Sequence, residues 1–258
     1  MLINPFRGLY HENKPFEGLL LKKSRARVDY SADFFSVWRQ LSGRLVQVAW
    51  GKMDQFWGVD RENQVWFKSS LDADWVHVDG LLKYVSIGYR GDMWGVNYDD
   101  DIYYRVDSSN TNPMGTWWKN IDGKLKQLSI GPNGEIWGVN AANSIFYRAS
   151  IDQSWQKMPG SLSQITVGID GSVWGVGNNN DVSRWANNSW QKIDGNMVQV
   201  AAGKQEDVFG LNELNEIYYR PTGSSQWQRV EGKLASISVG PKGQIIGCDA
   251  DQKVYYRI

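Results

Sequence analysis

The sequence contains few of the residues on which metal centres and acid–base enzymes depend. Its 258 residues include one cysteine, Cys248, and two histidines, His11 and His77. A single cysteine excludes a disulfide within the chain and suits a reducing compartment. So few of these residues leave little for zinc or copper, and neither histidine lies in a catalytic-triad motif. We therefore expect no metal, no cofactor and no enzymatic activity.

The chain also lacks a charge excess and a long apolar run. Lysine plus arginine number 28 and aspartate plus glutamate number 28, whereas a nucleic-acid-binding surface normally produces a basic excess. No run approaches the roughly 18 apolar residues that a membrane span needs. Residues 1–8 do not contain the apolar core of a signal peptide. These absences predict a cytoplasmic protein that neither binds nucleic acid nor inserts into a membrane.

What the sequence has in excess is tryptophan (14), tyrosine (12) and glycine (27). One spacing, a tryptophan five residues before a glycine, recurs six times: Trp38/Gly43, Trp75/Gly80, Trp118/Gly123, Trp155/Gly160, Trp190/Gly195 and Trp227/Gly232. Eight residues after each of these glycines lies another: Gly51, Gly88, Gly131, Gly168, Gly203 and Gly240. Six residues later comes a bulky apolar residue: Trp57, Trp94, Trp137, Trp174, Phe209 or Ile246. Six copies in one register predict a repeat protein.

Each copy contains four short strand-like segments, which we name A to D in chain order. In the third copy they span residues 125–130, 135–139, 145–149 and 155–158, with turn pairs such as Asn133-Gly134 between them. A repeat of four strands that cannot bury both of its faces alone is typical of a propeller blade.

The ends of the repeat region predict how the ring closes. The chain ends in a strand C of the sixth copy, whereas residues 38–43 form a strand D with no A, B or C before it. We predict an all-β fold, a six-bladed β-propeller of four-stranded antiparallel blades, in which the N-terminal strand completes the last blade and removes exposed edges. Residues 33–258 are assigned to this propeller, and residues 1–32 to an extension outside the repeat.

The repeat closely resembles that of the tectonin family. In the third copy the motif reads QLSIG at 127–131, IWGVN at 136–140, IFYR at 145–148 and WQKMPG at 155–160, and all six copies carry it. The resemblance implies a multivalent lectin that recognises glycans on bacterial or nematode surfaces, either O-methylated sugars or bacterial lipopolysaccharide, in a defence role. The alternative is an intracellular scaffold that binds protein or lipid, because larger proteins also use such propellers.

A sugar site needs a flat aromatic side chain for the C–H face of the ring and short polar side chains for its hydroxyls. At the start of the B–C loop, five copies carry a carboxylate or an amide: Asp60, Asn97, Asn140, Asn212 and Asp249. Six residues further on, strand C carries an aromatic residue: Trp66, Tyr103, Phe146, Tyr218 or Tyr255. Two residues later, on the same face, four copies carry an arginine: Arg105, Arg148, Arg220 and Arg257.

The B–C and D–A loops of a propeller lie on one rim, and the candidate set therefore includes three D–A residues: Asp79, Asp122 and Asp194. We predict ligand sites on that rim, in the clefts between adjacent blades. The fourth copy has Gly177, Ser183 and Trp185 at the three repeat positions, which predicts a weak or silent cleft there.

Structural roles remain open for the same residue types. The tryptophans of strands B and D are expected to fill the layers between blades. The strand-C tyrosines and arginines are alternatively a cation–π pair between blades. The asparagines and aspartates of the B–C loop are alternatively turn formers, which hydrogen-bond their own backbone.

Overall fold

The computed structural model describes residues 37–204 and 207–258. Within these ranges the regular structure is β-strand, apart from one 3-10 turn at Lys52–Asp54. The predicted extension, residues 1–32, lies outside the described residues, as do residues 33–36 of the predicted propeller. The predicted all-β class is confirmed.

The described chain forms 24 strands, most of them four to six residues long. In chain order they are β1 (Arg39–Arg44), β2 (Gln47–Trp50), β3 (Phe56–Val59), β4 (Gln64–Lys68), β5 (Val76–Leu81), β6 (Tyr84–Ile87), β7 (Met93–Val96), β8 (Asp101–Arg105), β9 (Trp118–Lys124), β10 (Gln127–Ile130), β11 (Ile136–Val139), β12 (Ser144–Arg148), β13 (Gln156–Ser161), β14 (Gln164–Val167), β15 (Val173–Val176), β16 (Asp181–Ala186), β17 (Ser189–Asn196), β18 (Gln199–Ala202), β19 (Val208–Leu211), β20 (Glu216–Arg220), β21 (Gln228–Lys233), β22 (Ser236–Val239), β23 (Ile245–Cys248) and β24 (Lys253–Arg257).

The strands form six antiparallel four-stranded sheets, which are the blades. Blades 1 to 5 each take four consecutive strands, starting at β2, β6, β10, β14 and β18. Blade 6 consists of β22, β23 and β24, and β1 pairs with β24 as its outermost strand, with Leu41 opposite Val254. The predicted closure by an N-terminal strand D is confirmed.

The hydrophobic core lies between blades, as the repeat predicts. In one cluster, Trp57 and Val65 of blade 1 pack with Val85 and Met93 of blade 2. Trp57 is fully buried, and the tryptophans of strand B in the next three blades are likewise buried. Because each blade shares its apolar faces with two neighbours, no blade has a complete core alone.

The tryptophan-to-glycine spacing has a physical cause that joins two blades. The indole Nε1 of Trp118 in blade 2 donates to the carbonyl of Asp79 in blade 1 at 2.6 Å. The ring covers Gly80, which has a φ of +106°, and a Cβ at that glycine would lie 2.7 Å from Nε1. A side chain at that position would therefore collide with the indole and strain the backbone. The same contact closes the ring, where Trp38 covers Gly232.

A second set of contacts joins the blades around the central channel. The side chain of Gln127 donates to the carbonyl of Ile165 at 2.7 Å and accepts from its N–H at 3.0 Å. Gln47, Gln164 and Gln199 make the corresponding pair of bonds to the next blade. Each glutamine thus supplies the donor and acceptor that an extra strand would supply.

Candidate functional site

The B–C turns and the D–A connections meet on one rim, which we call the B–C rim. The N–H of Leu82, just after β5, donates to the carbonyl of Asn63 in the B–C turn of the same blade at 2.8 Å. The corresponding bond joins Leu125 to Asp100 at 2.9 Å. The leucine at this position is buried, so that it holds the two loops against each other. We call the groove between a blade and the preceding one the cleft of that blade.

The B–C turn residues of the predicted site bond their own turns. The side-chain oxygen of Asn140 accepts the N–H of Ser144 at 2.9 Å. Asn97, Asn212, Asp60 and Asp249 accept the corresponding backbone N–H at 2.8 to 2.9 Å. These bonds are those of turn formers, which hold the start of strand C. All five side chains are partly exposed at the B–C rim.

The five strand-C aromatic residues are half-buried between blades. Tyr103 of blade 2 packs on the cluster that contains Trp57 of blade 1. The other four pack on the corresponding clusters: Trp66, Phe146, Tyr218 and Tyr255. Because each ring is only partly covered, it contributes both to the core and to the surface of its cleft.

In all six blades, strand D presents an exposed side chain directly opposite this strand-C position, which is Ser183 in blade 4. These strand-D residues were not among the predicted site residues. The register places His77 opposite Trp66, Asn120 opposite Tyr103, Lys157 opposite Phe146, Lys192 opposite Ser183, Arg229 opposite Tyr218 and Gln40 opposite Tyr255. Directly opposed residues in an antiparallel pair share a face, with Cβ atoms roughly 5 Å apart. Their fixed position, two residues after each strand-D tryptophan, is the sequence signal for this second half of the cleft.

Two predicted arginines are held inside the seam between blades. Arg105 and Arg148 are 4% and 6% exposed. Arg105 pairs with Asp79 of the preceding blade at 2.7 Å, and Arg148 pairs with Asp122 in the same way at 2.7 Å. The hydrogen bond from Arg105 holds the pKa of Asp79 below its usual value. Each ion pair therefore stabilises a seam.

These two arginines also point away from the B–C rim. Arg148 donates to the carbonyls of Ser150 and Ile151 in the C–D turn. Its guanidinium lies 5.3 Å from the centre of the Trp155 ring. The expected stacking partner was the strand-C tyrosine, whereas the partner found is the strand-D tryptophan of the same blade. Strand C therefore separates Arg148 from Asn140, because its two ends lie at opposite rims.

The remaining members of the predicted set extend this pattern. Arg257 is 7% exposed, and its guanidinium lies 5.5 Å from the ring of Trp38. The guanidinium of Arg220 lies 5.5 Å from the ring of Trp174 in blade 4. Asp194 is exposed, and its carbonyl accepts the indole N–H of Trp227. The predicted residues thus divide into a rim group and a seam group.

Blade 4 differs in its seam as well as in its cleft. Trp185 replaces the arginine, and its ring lies 5.2 Å from that of Trp190 and 5.9 Å from that of Trp137. In the preceding blade, Pro159 occupies the position of Asp79 and Asp122 and accepts the indole N–H of Trp190. The acid and the cation are therefore replaced together, and an aromatic cluster fills the seam.

Among residues 37–204 and 207–258, no three His, Cys, Asp or Glu side chains are grouped so as to hold a metal ion. Over the same ranges, no helix has the length and apolarity required to cross a membrane.

Comparison with solved structures shows the fold at low sequence identity. A streptogramin B lyase is 13% identical with a TM-score of 0.60, and the match covers 85% of this chain and 96% of that one. YCF48 from Cyanidioschyzon merolae is 12% identical with a TM-score of 0.56, covering 86% and 98%. A chain of a mitotic checkpoint complex is 9% identical with a TM-score of 0.62, covering 98% and 99%.

Comparison with sequences identifies the family. No curated protein matches this sequence. The model of the Tectonin domain matches it twice, over residues 22–154 and 149–258. Since the two matches span most of the chain and both halves of the ring, this chain belongs to the tectonin family.

Proposed function

We propose that this protein is a multivalent lectin that binds glycans in the clefts at its B–C rim. One observation carries the proposal. In five of the six blades, a half-buried aromatic residue on strand C lies directly opposite an exposed polar side chain on strand D. Ring and polar group share one face, as a sugar with an apolar C–H side and hydroxyl edges requires.

Two clefts illustrate the chemistry. In blade 1, the rings of Trp66 and His77 lie 5.3 Å apart at 75°, and they form a corner with a flat wall and a polar wall. In blade 5, the hydroxyl of Tyr218 donates to Glu216, which also pairs with Arg229 at 2.9 Å. Such a fixed row of donors and acceptors suits adjacent sugar hydroxyls.

The ligand class that we propose is a surface glycan, either O-methylated or part of bacterial lipopolysaccharide. An O-methyl group is a small apolar substituent, which a half-buried aromatic ring can shield from water. Several weak sites on one rim gain strength on a repetitive surface, because binding at one cleft raises the effective concentration at the next. Such multivalent binding suits the recognition of bacterial or nematode surfaces. In our proposal the protein is cytoplasmic and has a defence role, and it reaches these surfaces when an animal feeds on the cell or when the cell is damaged.

A glycan array that pairs O-methylated with unmethylated mannose and fucose, beside lipopolysaccharides, tests the ligand class. We expect binding that is lost when only the methyl group is removed, or binding to lipopolysaccharide alone. An array with no bound glycan would contradict the lectin proposal.

Calorimetry with the best ligand then tests the clefts. Tyr103→Leu keeps apolar volume in the seam but removes the flat ring, and we expect the stoichiometry for a neutral glycan to fall by one site. Ser183→Ala in blade 4 is the matched control and should change nothing. Equal effects of the two variants would place the sites elsewhere.

A second candidate function is a protein-binding scaffold, and one observation favours it. The long C–D connection of blade 2 carries two exposed apolar side chains, Met114 and Trp117, which are 40% and 54% exposed. It lies at the rim opposite to the B–C rim. If the array is silent, cross-linking in cells with the wild type and Trp117→Ser tests this candidate. Partners lost in the variant would support it, and an unchanged set would contradict it.

A further inference from the structure

The six clefts share a plan but differ in charge. Three side chains lie together on the face of each blade: the first residue of strand C, the residue two further on, and the strand-D residue opposite that one. From blade 1 to blade 6 the trios are Gln64/Trp66/His77, Asp101/Tyr103/Asn120, Ser144/Phe146/Lys157, Asp181/Ser183/Lys192, Glu216/Tyr218/Arg229 and Lys253/Tyr255/Gln40. The charge therefore varies from cleft to cleft on a constant backbone.

In blades 4 and 5, the strand-D cation is neutralised within its own trio. Lys192 pairs with Asp181 at 2.9 Å. Arg229 pairs with Glu216 at 2.9 Å. An anionic ligand at either cleft would have to compete with a carboxylate that is already in place.

In blade 3, the strand-D cation has no such partner. Lys157 is exposed beside the half-buried ring of Phe146, and the trio residue at the start of strand C is Ser144. In the part of the chain that the structure describes, no carboxylate lies within ion-pair distance of the Lys157 ammonium group. The turn residue of this cleft is Asn140 rather than an aspartate.

A second lysine contacts the same B–C turn. The side chain of Lys126, in the connection from blade 2 to blade 3, contacts the amide oxygen of Asn143. Asp100 acts electrostatically on Lys126 but is itself in contact with Lys83. Asp122, in strand D of blade 2, is paired with Arg148. Asp100 and Asp122 thus already have cation partners, whereas among the described residues neither Lys157 nor Lys126 forms an ion pair with a carboxylate.

We propose that the cleft of blade 3 binds a saccharide that carries an anionic group, either a phosphate or a carboxylate. Phe146 covers the apolar face of the sugar, Lys157 pairs with the anion, and Lys126 adds positive potential at the turn. This assignment rests on the proposed lectin function. The cleft of blade 2, where Asp101 and Asn120 flank Tyr103, takes a neutral sugar instead.

Matched probes that differ only in charge test this assignment. Methyl β-glucoside and methyl β-glucuronide form one pair, and mannose and mannose 6-phosphate form the other. In NMR titrations of the full chain, we expect an anionic probe to shift the backbone amides of Phe146 and Lys157. Lys157→Gln should weaken that probe about twofold to fivefold, as for an exposed ion pair, without changing neutral sugars. Raising the salt concentration should weaken the wild type in the same direction.

Two lysine variants are the matched controls. Lys242→Gln removes an exposed lysine in the A–B turn of blade 6, at the rim opposite to the B–C rim. Lys192→Gln removes the paired lysine of blade 4. Neither should change the affinity for the anionic probes. Equal losses of affinity in all three variants would show that the effect comes from general surface charge, and this would overturn the assignment.

The remaining outcomes separate this assignment from the lectin proposal. If glycans bind on the array but neither anionic probe shifts the amides of Phe146 and Lys157, the assignment is wrong and the lectin proposal stands. If no glycan binds in either experiment, both are wrong. If only the phosphate or only the carboxylate binds, the assignment holds and its anion is identified.

Discussion

Two neighbouring seams are filled by different side chains at the same repeat positions. They are the seam between blades 2 and 3 and the seam between blades 3 and 4. In the first, Asp122 of blade 2 pairs with the buried Arg148 of blade 3, whose guanidinium stacks on Trp155. In the second, Pro159 and Trp185 stand at the same two positions, and Trp185 packs on Trp190. The strand-D tryptophan bonds to the preceding blade in both.

This difference shows which side chains of the repeat hold neighbouring blades together and which remain exposed at the rim. At this seam both the acid and the cation are replaced. A buried arginine without a partner would be costly there, and an aromatic residue of similar size avoids that cost. The strand-C cation is therefore part of the seam. The half-exposed aromatic residue at the rim, which blade 4 lacks, is the group that our proposal assigns to the ligand.

The largest expected effect concerns the feature that both seams share. Gly80→Ala and Gly160→Ala would place a Cβ 2.7 and 2.8 Å from the indole of the next blade, at φ values of +106° and +96°. We expect each to lower the free energy of unfolding by about 3 kcal/mol, from the collision and the backbone strain together. Urea unfolding measures both.

Gly223→Ala is the control for backbone strain alone, because it has positive φ and no atom within 4 Å of the added Cβ. A loss at Gly80 no larger than at Gly223 would show that the indole contact is unimportant.

An intermediate effect is expected when one seam is converted into the other. Trp185→Arg removes an aromatic cluster and should cost about 2 kcal/mol. Adding Pro159→Asp should recover about 0.5–1 kcal/mol by rebuilding the ion pair. A double-mutant cycle measures the coupling between the two positions. Strictly additive costs would break the interpretation that acid and cation form one unit.

The smallest effect concerns pH. The pKa of Asp79 lies below its ordinary value in the folded protein, chiefly through the hydrogen bond from Arg105, so the unfolded chain takes up the proton first as the pH falls. The ion pair therefore stabilises the fold at neutral pH, and this contribution is lost progressively below about pH 5. Asp79→Asn should cost less than about 1 kcal/mol at pH 7, because the carboxylate is largely exposed, and less at pH 3 than at pH 7.

Urea unfolding of the wild type and Asp79→Asn at both pH values gives this difference. Asp72→Asn, which removes an exposed acid, is the control. A cost that stays constant between pH 7 and pH 3 would contradict the role of the ion pair.

Much of the fold follows from the sequence because the repeat is strict. The predicted strands of the third copy, 135–139 and 145–149, lie within one residue of β11 and β12. The closure by β1 followed from a strand D that stood alone at one end of the repeat and was missing at the other. The tryptophans of strand B lie in the core because alternation and size together favour burial there.

The candidate site was less predictable because its members meet across blades and across strands. Arg148 and Asp122 are 26 residues apart, and spacing alone does not tell which rim a long side chain reaches. Lys157 lies two residues after Trp155 in the repeat, but only the register opposite Phe146 shows that it shares the face of the cleft.

The sequence by itself determined the number of blades, their strand order and the residue types that fill the seams, since each depends on a pattern within one copy. Only the tertiary structure decided which polar side chains are consumed in holding blades together and which face a cleft. The reason is that the ion-pair partner comes from a neighbouring blade. Asp79 of blade 1 pairs with Arg105 of blade 2 in this way, whereas among the described residues no carboxylate forms an ion pair with Lys157.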